Sequence, residues 1–324
     1  MIKDKGNIII LAGDPNSINS EILYKSWKKL DDNLKKKIYV IASVRLLNDQ
    51  FKKLNYRIKI NDIEQNNKNL SKNSINVIDI DIKFNNSFNI KEEEASKYVI
   101  KSLELGHKLA RSNNVIGLIN CPISKHLLKR KNFGVTEFLS KKNKLKKNSE
   151  VMLITNNNFS VSPITTHLEL KNVSKKIKKN IIILKIQTIQ KNYFKIFKRK
   201  PKIGILGLNP HNAELNNKSE EVKQIIPAIN MLKKKGINIK GPLVADTVFI
   251  QDYKRFDIIV GMYHDQVLAP FKSIFKFDAI NLTMGLNYLR VSPDHGVAKD
   301  IIEKNRANPL SLLKCIKFIK KFGK

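Results

Sequence analysis

Residues 92–125, EEEASKYVIKSLELGHKLARSNNVIGLINCPISK, contain a helix, a strand and a polar turn in one stretch. Apolar side chains at helical spacing follow three acidic residues, which predicts an amphipathic helix over 92–112. The apolar run 115–119 predicts a buried strand. It leads into the polar turn 120–125, and open α/β sheets bind ligands at such strand ends. This stretch therefore predicts an α/β fold.

The same alternation extends in both directions along the chain. Further strands are predicted at 7–12, 38–43, 75–80, 151–155, 160–164, 202–206, 257–260 and 279–282. Further helices are predicted from residue 20 and near 170–191, 219–235 and 309–321. The polar segment 61–74 predicts a surface loop or a weakly ordered insertion. No internal repeat and no Gly/Ser linker divides the chain.

The 324 residues, 42% of them hydrophobic, can form one large α/β unit or two lobes. Two cysteines are too few for a disulfide framework or a four-thiolate zinc site, which favours a reducing compartment. No apolar run approaches the roughly 20 residues of a membrane span, and no export signal is visible. We therefore expect a cytoplasmic protein without a membrane partner.

The net charge is +33, from 61 Lys and Arg against 28 Asp and Glu. Nucleic-acid grooves concentrate arginine and interleave aromatic residues, whereas these cations are mostly lysines scattered among isoleucine and asparagine. The basic runs 141–147 and 195–202 fit solvated loops. We do not expect a nucleic-acid partner, although such a field attracts small anionic substrates.

Three of the six histidines directly follow predicted strands: His167, His211 and His264. Carboxyl ends of parallel strands share one edge of a sheet, so these residues can converge. Three imidazoles suit zinc, cobalt, nickel or iron, with positions left for a substrate. Spacing alone leaves two interpretations open, a shared metal or three separate loop residues, because no compact motif such as His-Glu-x-x-His is present.

Polar residues near the third histidine suggest an anion-binding site. They are Asp246, Lys272, Asn281 and Arg290, at the borders of apolar segments. The two cations suit a phosphate or a carboxylate. Each residue alone fits an ordinary surface position better than a binding role, and only the set is informative.

Seven short motifs follow one another along nearly the whole chain. They are GDP at 13–15, TTH at 165–167, GLNPH at 207–211, GPLVADT at 241–247, MYHDQ at 262–266, NLTMGL at 281–286 and SPDHG at 292–296. Together, and in this order, they resemble the 4-hydroxythreonine-4-phosphate dehydrogenase family of pyridoxal phosphate biosynthesis. One such motif alone would be weak, whereas the ordered set is specific.

The resemblance implies a two-lobed α/β/α fold similar to isocitrate and isopropylmalate dehydrogenases, with residues 1–324 forming one catalytic unit and the active-site cleft between the lobes. No Gly-x-Gly-x-x-Gly follows the opening strand, so a standard Rossmann cofactor site is not expected. The resemblance also implies NAD, a divalent metal (zinc, magnesium or cobalt) and a homodimer with a shared active site.

The resemblance further assigns roles to residues. The implied metal ligands are His167, His211 and His264. The implied substrate contacts are Thr136, Lys272, Asn281 and Arg290. His295 and Gly296 match a cofactor-binding segment. The catalytic candidates are Asp246, Asp265 and Lys272, and the choice between metal support and proton transfer for the two aspartates stays open.

The implied reaction is the NAD-linked oxidation and decarboxylation of 4-phosphooxy-L-threonine to 3-amino-2-oxopropyl phosphate. One alternative is a related dehydrogenase that acts on another phosphorylated or carboxylated hydroxy acid. The other is a non-catalytic anion-binding or RNA-binding relative, which only the net charge supports.

The sequence departs from the family pattern at three places. Val135 stands where the family has a histidine that contacts the substrate, and valine cannot donate a hydrogen bond. The opening turn 13–21 lacks two of the family's glycines. The family's Asp-Ile-Ala-Gly-Lys-Gly becomes DIIEKN at 300–305, which puts Glu303 and Asn305 where glycines are usual.

Overall fold

The computed structural model describes residues 5–63, 70–128, 134–145, 149–156, 158–276 and 278–323. The chain forms two compact units. Unit 1 comprises Met1–Asn143 and Leu286–Lys324, and unit 2 comprises Lys144–Gly285. Strands and helices are numbered in chain order.

Unit 1 is a parallel sheet with helices. Its strands are β1 (Asn7–Leu11), β2 (Ile38–Ala42), β3 (Lys59–Asp62), β4 (Ser74–Asp79), β5 (Val115–Asn120) and β12 (Arg290–Pro293). Its helices are α1 (Asn19–Trp27), α2 (Asp32–Lys35), α3 (Val44–Lys53), α4 (Glu92–Ala110), α5 (Val135–Lys142) and α11 (Leu310–Phe322). The strand order is β3-β4-β2-β1-β5-β12, and the pairs are parallel.

The central strands β1 and β2 are buried along their whole length. This is why they appear in the sequence as continuous apolar runs rather than as alternating patterns. Helix α4 covers β1 and β5 with an apolar stripe that includes Ala95, Val99 and Leu103, all fully buried. Three glutamates in its first turn and His107 and Lys108 in its last turn match the helix dipole.

Unit 2 has a mixed sheet. Its strands are β6 (Val151–Thr155), β7 (Ser160–Pro163), β8 (Ile203–Leu206), β9 (Ile239–Leu243), β10 (Ile258–Gly261) and β11 (Ile280–Met284). Its helices are α6 (Val173–Lys176), α7 (Lys179–Phe197), α8 (Ile226–Lys234), α9 (Ala245–Val248) and α10 (His264–Phe275). In the order β11-β6-β7-β10-β8-β9, strand β6 is antiparallel to both neighbours, and β7, β10, β8 and β9 run parallel.

Aromatic rings form part of the core of unit 2. Phe159 lies 6.1 Å from Phe271 and 5.0 Å from Tyr253, measured between ring centroids. Phe271 belongs to α10 and is fully buried, so this helix is fixed against the sheet. The packing thereby sets the position of the first residue of α10, His264.

The α/β fold class predicted from the sequence is confirmed. The sequence did not reveal three short strands, β3, β9 and β12, which have four or five residues each. The helix predicted at 170–191 was wrong in its extent, because the backbone leaves the helical region at Ile177 and α7 then continues to Phe197. The predicted loop 61–74 begins inside β3, and residues 64–69 lie outside the described residues.

The helices of the described residues include none that is both long enough and apolar enough to span a lipid bilayer.

The basic run 141–147 lies partly outside the described residues. The run 195–202 contains Arg199, which pairs with Asp257 at 2.7 Å.

Candidate active site

The histidine-bearing loops of unit 2 follow neighbouring parallel strands. His167 comes four residues after the end of β7, His264 three residues after β10, and His211 five residues after β8. Because β7, β10 and β8 are adjacent and parallel, these loops leave the same edge of the sheet. The predicted placement at strand ends is therefore present within one unit.

His167 and His264 lie side by side, with ring centroids 5.6 Å apart. Two imidazoles that share one ion at metal–nitrogen distances of about 2.1 Å have centres on the order of 5 Å apart, so this pair has a suitable spacing. His264 Nδ1 lies 2.7 Å from Asp265 Oδ1. A carboxylate at one ring nitrogen orients the imidazole and leaves Nε2 for a ligand.

His211 lies on an unusual turn. Residues His211 to Leu215 all have positive φ, between 47° and 57°, and form a short left-handed helical turn that contains no glycine. Such a conformation is unfavourable by roughly 1–2 kcal/mol for each L residue, so it persists only where the surroundings hold it. The side chain of His211 is exposed.

Within the described ranges, no three His, Cys, Asp or Glu side chains are close enough together to hold a metal ion. The structure thus brings His167 and His264 together but does not join His211 to them. The three-histidine ligand set stays a prediction.

Glu221 holds the start of the His211 loop. Its carboxylate is completely buried and accepts hydrogen bonds from the backbone of Leu208 at 2.7 Å and of Asn209 at 2.8 Å. The Asn209 side chain donates to it as well, at 3.0 Å. Burial acts to raise the pKa of Glu221, but these hydrogen bonds outweigh it, and the net pKa is lowered. The group is therefore held as a carboxylate.

The remaining predicted residues of unit 2 are spread over several elements. Asp246 is exposed in the first turn of α9, after β9. Lys272 lies eight residues beyond His264 on α10, which places it about 12 Å further along the helix. Asn281 is the second residue of β11, and its Oδ1 is buried without a hydrogen-bond partner among the described residues. An orphaned acceptor of this kind suits a ligand donor.

Arg290 of unit 1 is the first residue of β12 and only 3% exposed. Its Nε donates to Asn120 Oδ1 at 2.6 Å, and Nη1 donates to Thr136 Oγ1 at 3.3 Å. Burial lowers the pKa of the guanidinium to about 10, since the charged form loses its hydration. The structure thus joins two predicted substrate contacts, Thr136 and Arg290, and adds Asn120.

Val135 and Thr136 begin helix α5. Its first turn is capped by Glu137, whose Oε2 accepts the backbone N–H of Gly134 at 2.9 Å. Val135 contributes no polar group there. The candidates for replacing the family's histidine, Lys125 and His126, are exposed at the start of a 3₁₀ turn, Lys125–Leu128.

His295 and Gly296 lie two and three residues after the end of β12. His295 Nδ1 lies 2.9 Å from the Gly296 carbonyl oxygen, so this nitrogen carries the proton. The other ring nitrogen, Nε2, is buried and has no hydrogen-bond partner within the described part of the chain. The cofactor-binding role of this segment stays a prediction.

The loop after His295 adopts left-handed conformations at the two positions where the family has glycine. Glu303 has φ 62° and Asn305 has φ 55°. The Tyr56 hydroxyl donates to Asn305 Oδ1 at 2.5 Å, and the Tyr56 ring stacks on Tyr24 at 3.9 Å. Lys25 Nζ donates to the Asn305 carbonyl oxygen at 3.0 Å. Side-chain contacts therefore hold a backbone that glycine would adopt freely.

Both cysteines are buried in unit 1 and carry no disulfide. Burial raises the pKa of Cys121 to about 12 and raises that of Cys315 well above its usual range. Neither thiol is a nucleophile at neutral pH.

Sequence reasoning missed Glu221, Gln266 and Asn120 as residues that support the site. Gln266 was part of the quoted MYHDQ motif, but nothing in the motif indicated its contacts. Glu221 is ten residues from His211, a separation that has no meaning until the loop folds back. Asn120 ends the strand that the polar turn follows, which was the one available signal.

Comparisons with known proteins cover most of the chain. A family model described as pyridoxal phosphate biosynthetic protein PdxA matches residues 34–319. A 4-hydroxythreonine-4-phosphate dehydrogenase of Sulfurihydrogenibium sp. is 38% identical over 322 residues, covering 95% of this chain and 96% of the relative. A protein of Oceanobacillus iheyensis, provisionally named D-threonate 4-phosphate dehydrogenase, is 30% identical over 318 residues, with 95% of both chains covered.

Solved structures agree with this. The 4-hydroxythreonine-4-phosphate dehydrogenase of Klebsiella pneumoniae superimposes with a TM-score of 0.82 at 26% identity, covering 97% of this chain and 98% of that one. The enzyme of Burkholderia phymatum gives 0.81 at 27% identity, with 99% and 100% covered. The resemblance inferred from seven motifs is confirmed: this chain belongs to the PdxA family of pyridoxal phosphate biosynthetic proteins, which are oxidoreductases.

Proposed function

We propose that this protein oxidises 4-phosphooxy-L-threonine with NAD and decarboxylates the product to 3-amino-2-oxopropyl phosphate. The observation that carries the proposal is the PdxA match over residues 34–319, together with the paired imidazoles of His167 and His264 in unit 2. The +33 charge attracts a phosphorylated, carboxylated substrate from a distance. We further propose that the enzyme works as a homodimer with a shared active site in the cytoplasm.

The side-chain types of the proposed ligands suit a divalent metal. His167 and His264 offer imidazole nitrogens, His211 is the proposed third ligand, and the Asp265 carboxylate orients His264. When bound there, a divalent ion acts as a Lewis acid toward the substrate hydroxyl and the ketone formed from it, while NAD accepts the hydride. Zinc, cobalt and magnesium are the candidate ions.

The protein's own groups supply binding and proton transfer. Arg290 and Thr136 bind the anionic end of the substrate, with Arg290 held in place by Asn120. Lys272 and Asn281 provide further contacts. Asp265 contacts His264, so Asp246 and Lys272 are the proposed candidates for taking the hydroxyl proton. His295 Nε2, with the adjacent Gly296, contacts the cofactor.

One observation favours a second candidate function. Val135 replaces the family histidine at the start of α5, and the relative from Oceanobacillus iheyensis is provisionally named for D-threonate 4-phosphate. That compound carries a hydroxyl where 4-phosphooxy-threonine carries an amino group. The second candidate is therefore a dehydrogenase of a phosphorylated dihydroxy acid.

The test is NADH formation by the purified protein with each of the two substrates, with and without a chelator. We expect turnover of 4-phosphooxy-threonine with the higher kcat/KM, abolished by the chelator and restored by a divalent ion. A higher kcat/KM for D-threonate 4-phosphate would select the second candidate. No NADH with either substrate in the presence of added metal would contradict both.

A further inference from the structure

The side chain of Gln266 contacts the backbone of two of the histidine loops of unit 2. Its Nε2 donates to the carbonyl oxygen of Gly207 at 2.8 Å, and its Oε1 accepts the N–H of Met262 at 2.7 Å. Gly207 precedes His211 by four residues and Met262 precedes His264 by two. A single amide group thus joins the two loops through two hydrogen bonds.

The third loop is joined at the same point. The Met262 carbonyl oxygen accepts the N–H of Thr165 at 3.1 Å and the Thr165 hydroxyl at 2.7 Å. Thr165 precedes His167 by two residues. The carbonyl oxygen of Met262 therefore binds the loop of His167, while its N–H binds Gln266.

Glycines leave room for this arrangement. A Cβ on Gly261 would lie 2.9 Å from Gln266 Oε1 and 2.6 Å from a Val267 methyl group. A Cβ on Gly207 would lie 2.0 Å from Asn212 Oδ1 and 3.1 Å from Glu221 Oε1. The shortest of these distances at each glycine is below what a real side chain tolerates, so any side chain at either position would displace the groups that hold the loops.

The left-handed turn needs such support. Its five residues have no glycine to relieve the strain, and His211 itself is exposed. Glu221 fixes the backbone at Leu208 and Asn209, and Asn212 Nδ2 donates to the Pro242 carbonyl oxygen at 3.2 Å. These contacts shape the turn, whereas Gln266 joins the backbone at Gly207, four residues before His211, to the loop of His264.

We propose that Gln266 is a positioning residue that locks the loop of His211 to the loop of His264, and so sets the relative placement of the proposed metal ligands. The inference rests on the proposed function in assigning a metal to these histidines. Gln266 acts through the backbone and needs no contact with the metal or the substrate. Outer partners of this kind typically change metal affinity by about 10–100-fold when removed.

The test compares Gln266→Met with the wild-type chain. Methionine matches glutamine in length but forms neither hydrogen bond. Zinc binding to the full-length protein is measured by isothermal titration calorimetry, and amide hydrogen exchange is measured without metal. We expect zinc affinity to fall about 10–100-fold. Exchange should be about tenfold or more faster at Met262 and across 208–212.

The matched control is Gln50→Met in unit 1. Gln50 is also buried, and its amide also joins two segments, donating to Pro15 at 2.9 Å and Ser87 at 2.7 Å. This variant loses two hydrogen bonds far from the histidine motifs in sequence. It should leave zinc affinity and exchange at 208–212 unchanged. An equal loss of zinc affinity in the control would overturn the proposal, because a general loss of stability would then explain both.

A second variant, Gln266→Glu, preserves size and the acceptor while removing the donor. Met262 should stay protected from exchange, while 208–212 exchange faster because only the link to Gly207 is lost. Unchanged zinc affinity and unchanged exchange in both Gln266 variants would overturn the positioning role. A wild-type chain that binds no zinc or other divalent ion would instead contradict the proposed metal site, and the exchange data alone would then decide whether Gln266 locks the loops.

Discussion

Arg290 in unit 1 and His211 in unit 2 are both predicted to contact small ligands, yet their solvent exposure is opposite. Arg290 is buried with its partners Asn120 and Thr136 around it, so the functional charge itself is enclosed. His211 is exposed, and the buried groups are those behind it, Glu221 above all. Rigid placement is achieved by burying the functional group in one unit and by burying its supports in the other.

This contrast has an energetic side. Burial of Arg290 lowers its pKa to about 10 and disfavours the charged form by about 3 kcal/mol. Because the folded pKa lies below the unfolded one, the full penalty applies at neutral pH and is relieved only as the pH rises above about 10. In unit 2 the comparable destabilising effect is the backbone strain of the left-handed turn. The predicted functional residues therefore lower stability in both units, through desolvation of a charge in unit 1 and through backbone strain in unit 2.

The largest effect is expected for Arg290→Met. Activity should fall by about 100-fold or more, because the charged contact to the substrate is lost. The unfolding free energy should stay within about 1 kcal/mol of wild type, since relief of the buried charge offsets the orphaned Asn120 acceptor. Urea unfolding and NADH formation measure the two quantities.

The ion pair between the exposed Arg199 and the half-buried Asp257 supplies the control for that experiment. Arg199→Met should keep full activity, because this arginine is 54% exposed and lies outside the predicted site. A loss of about 3 kcal/mol or more in stability for Arg290→Met, the cost of breaking a buried charge network, would show that the two regions do not differ as described.

Glu221→Gln tests the support in unit 2. An amide cannot accept all the donors now aimed at the carboxylate, so we expect a loss of about 1–3 kcal/mol in unfolding free energy at pH 7. The pKa of Glu221 is lowered from its usual value of 4.5, so its stabilisation is present above that value and is lost as the pH falls below it. Urea unfolding at several pH values should therefore show the difference between the variant and wild type shrinking as the pH falls through the lowered pKa of Glu221.

Glu169→Gln is the matched substitution, because Glu169 pairs at the surface with Lys171 at 3.3 Å. It should change stability by less than about 0.5 kcal/mol at every pH. A difference between wild type and Glu221→Gln that does not depend on pH would argue against the carboxylate as the supporting group.

Val135→His sharpens the comparison in unit 1. If Arg290 and Thr136 bind the substrate's anionic end, an added imidazole at the start of α5 should contribute about 1–1.5 kcal/mol, which lowers KM by about five- to tenfold. Val135→Leu, which adds no donor, should leave KM unchanged. An unaltered KM for Val135→His would indicate compensation by a neighbour such as His126, and lost turnover with retained activity on D-threonate 4-phosphate would favour the second candidate function.

The smallest effect concerns the other left-handed segment. Glu303→Gly should raise the unfolding free energy by about 0.5–1 kcal/mol, because glycine tolerates a positive φ. Asn305→Gly should bring no gain, since asparagine already tolerates this conformation and the Tyr56 hydrogen bond would be lost. Thermal unfolding measures both, and equal gains would show that Tyr56 does not hold the loop.

The sequence predicted the elements that are local and long, and the residues that follow strands. Helix α4 and strands β1, β2 and β5 were visible because burial produces apolar runs and helical periodicity. The neighbours His167 and His264 were predicted from strand ends, and Asp265 was a candidate because it stands beside His264. The contacts of Glu221 and Gln266 were not predictable. They depend on how the loops fold back onto residues that are distant in sequence, and hydrophobic periodicity carries no information about such contacts.

The buried state of Cys121 and Cys315 has a practical consequence. Both thiols stay protonated and shielded at neutral pH, so alkylating reagents have no native target on the folded chain. The natural sequence is thereby ready for site-directed labelling without prior removal of its cysteines. A single introduced cysteine at Glu214, exposed on the left-handed turn, would carry a spectroscopic probe at one defined position and report the motion of that turn directly.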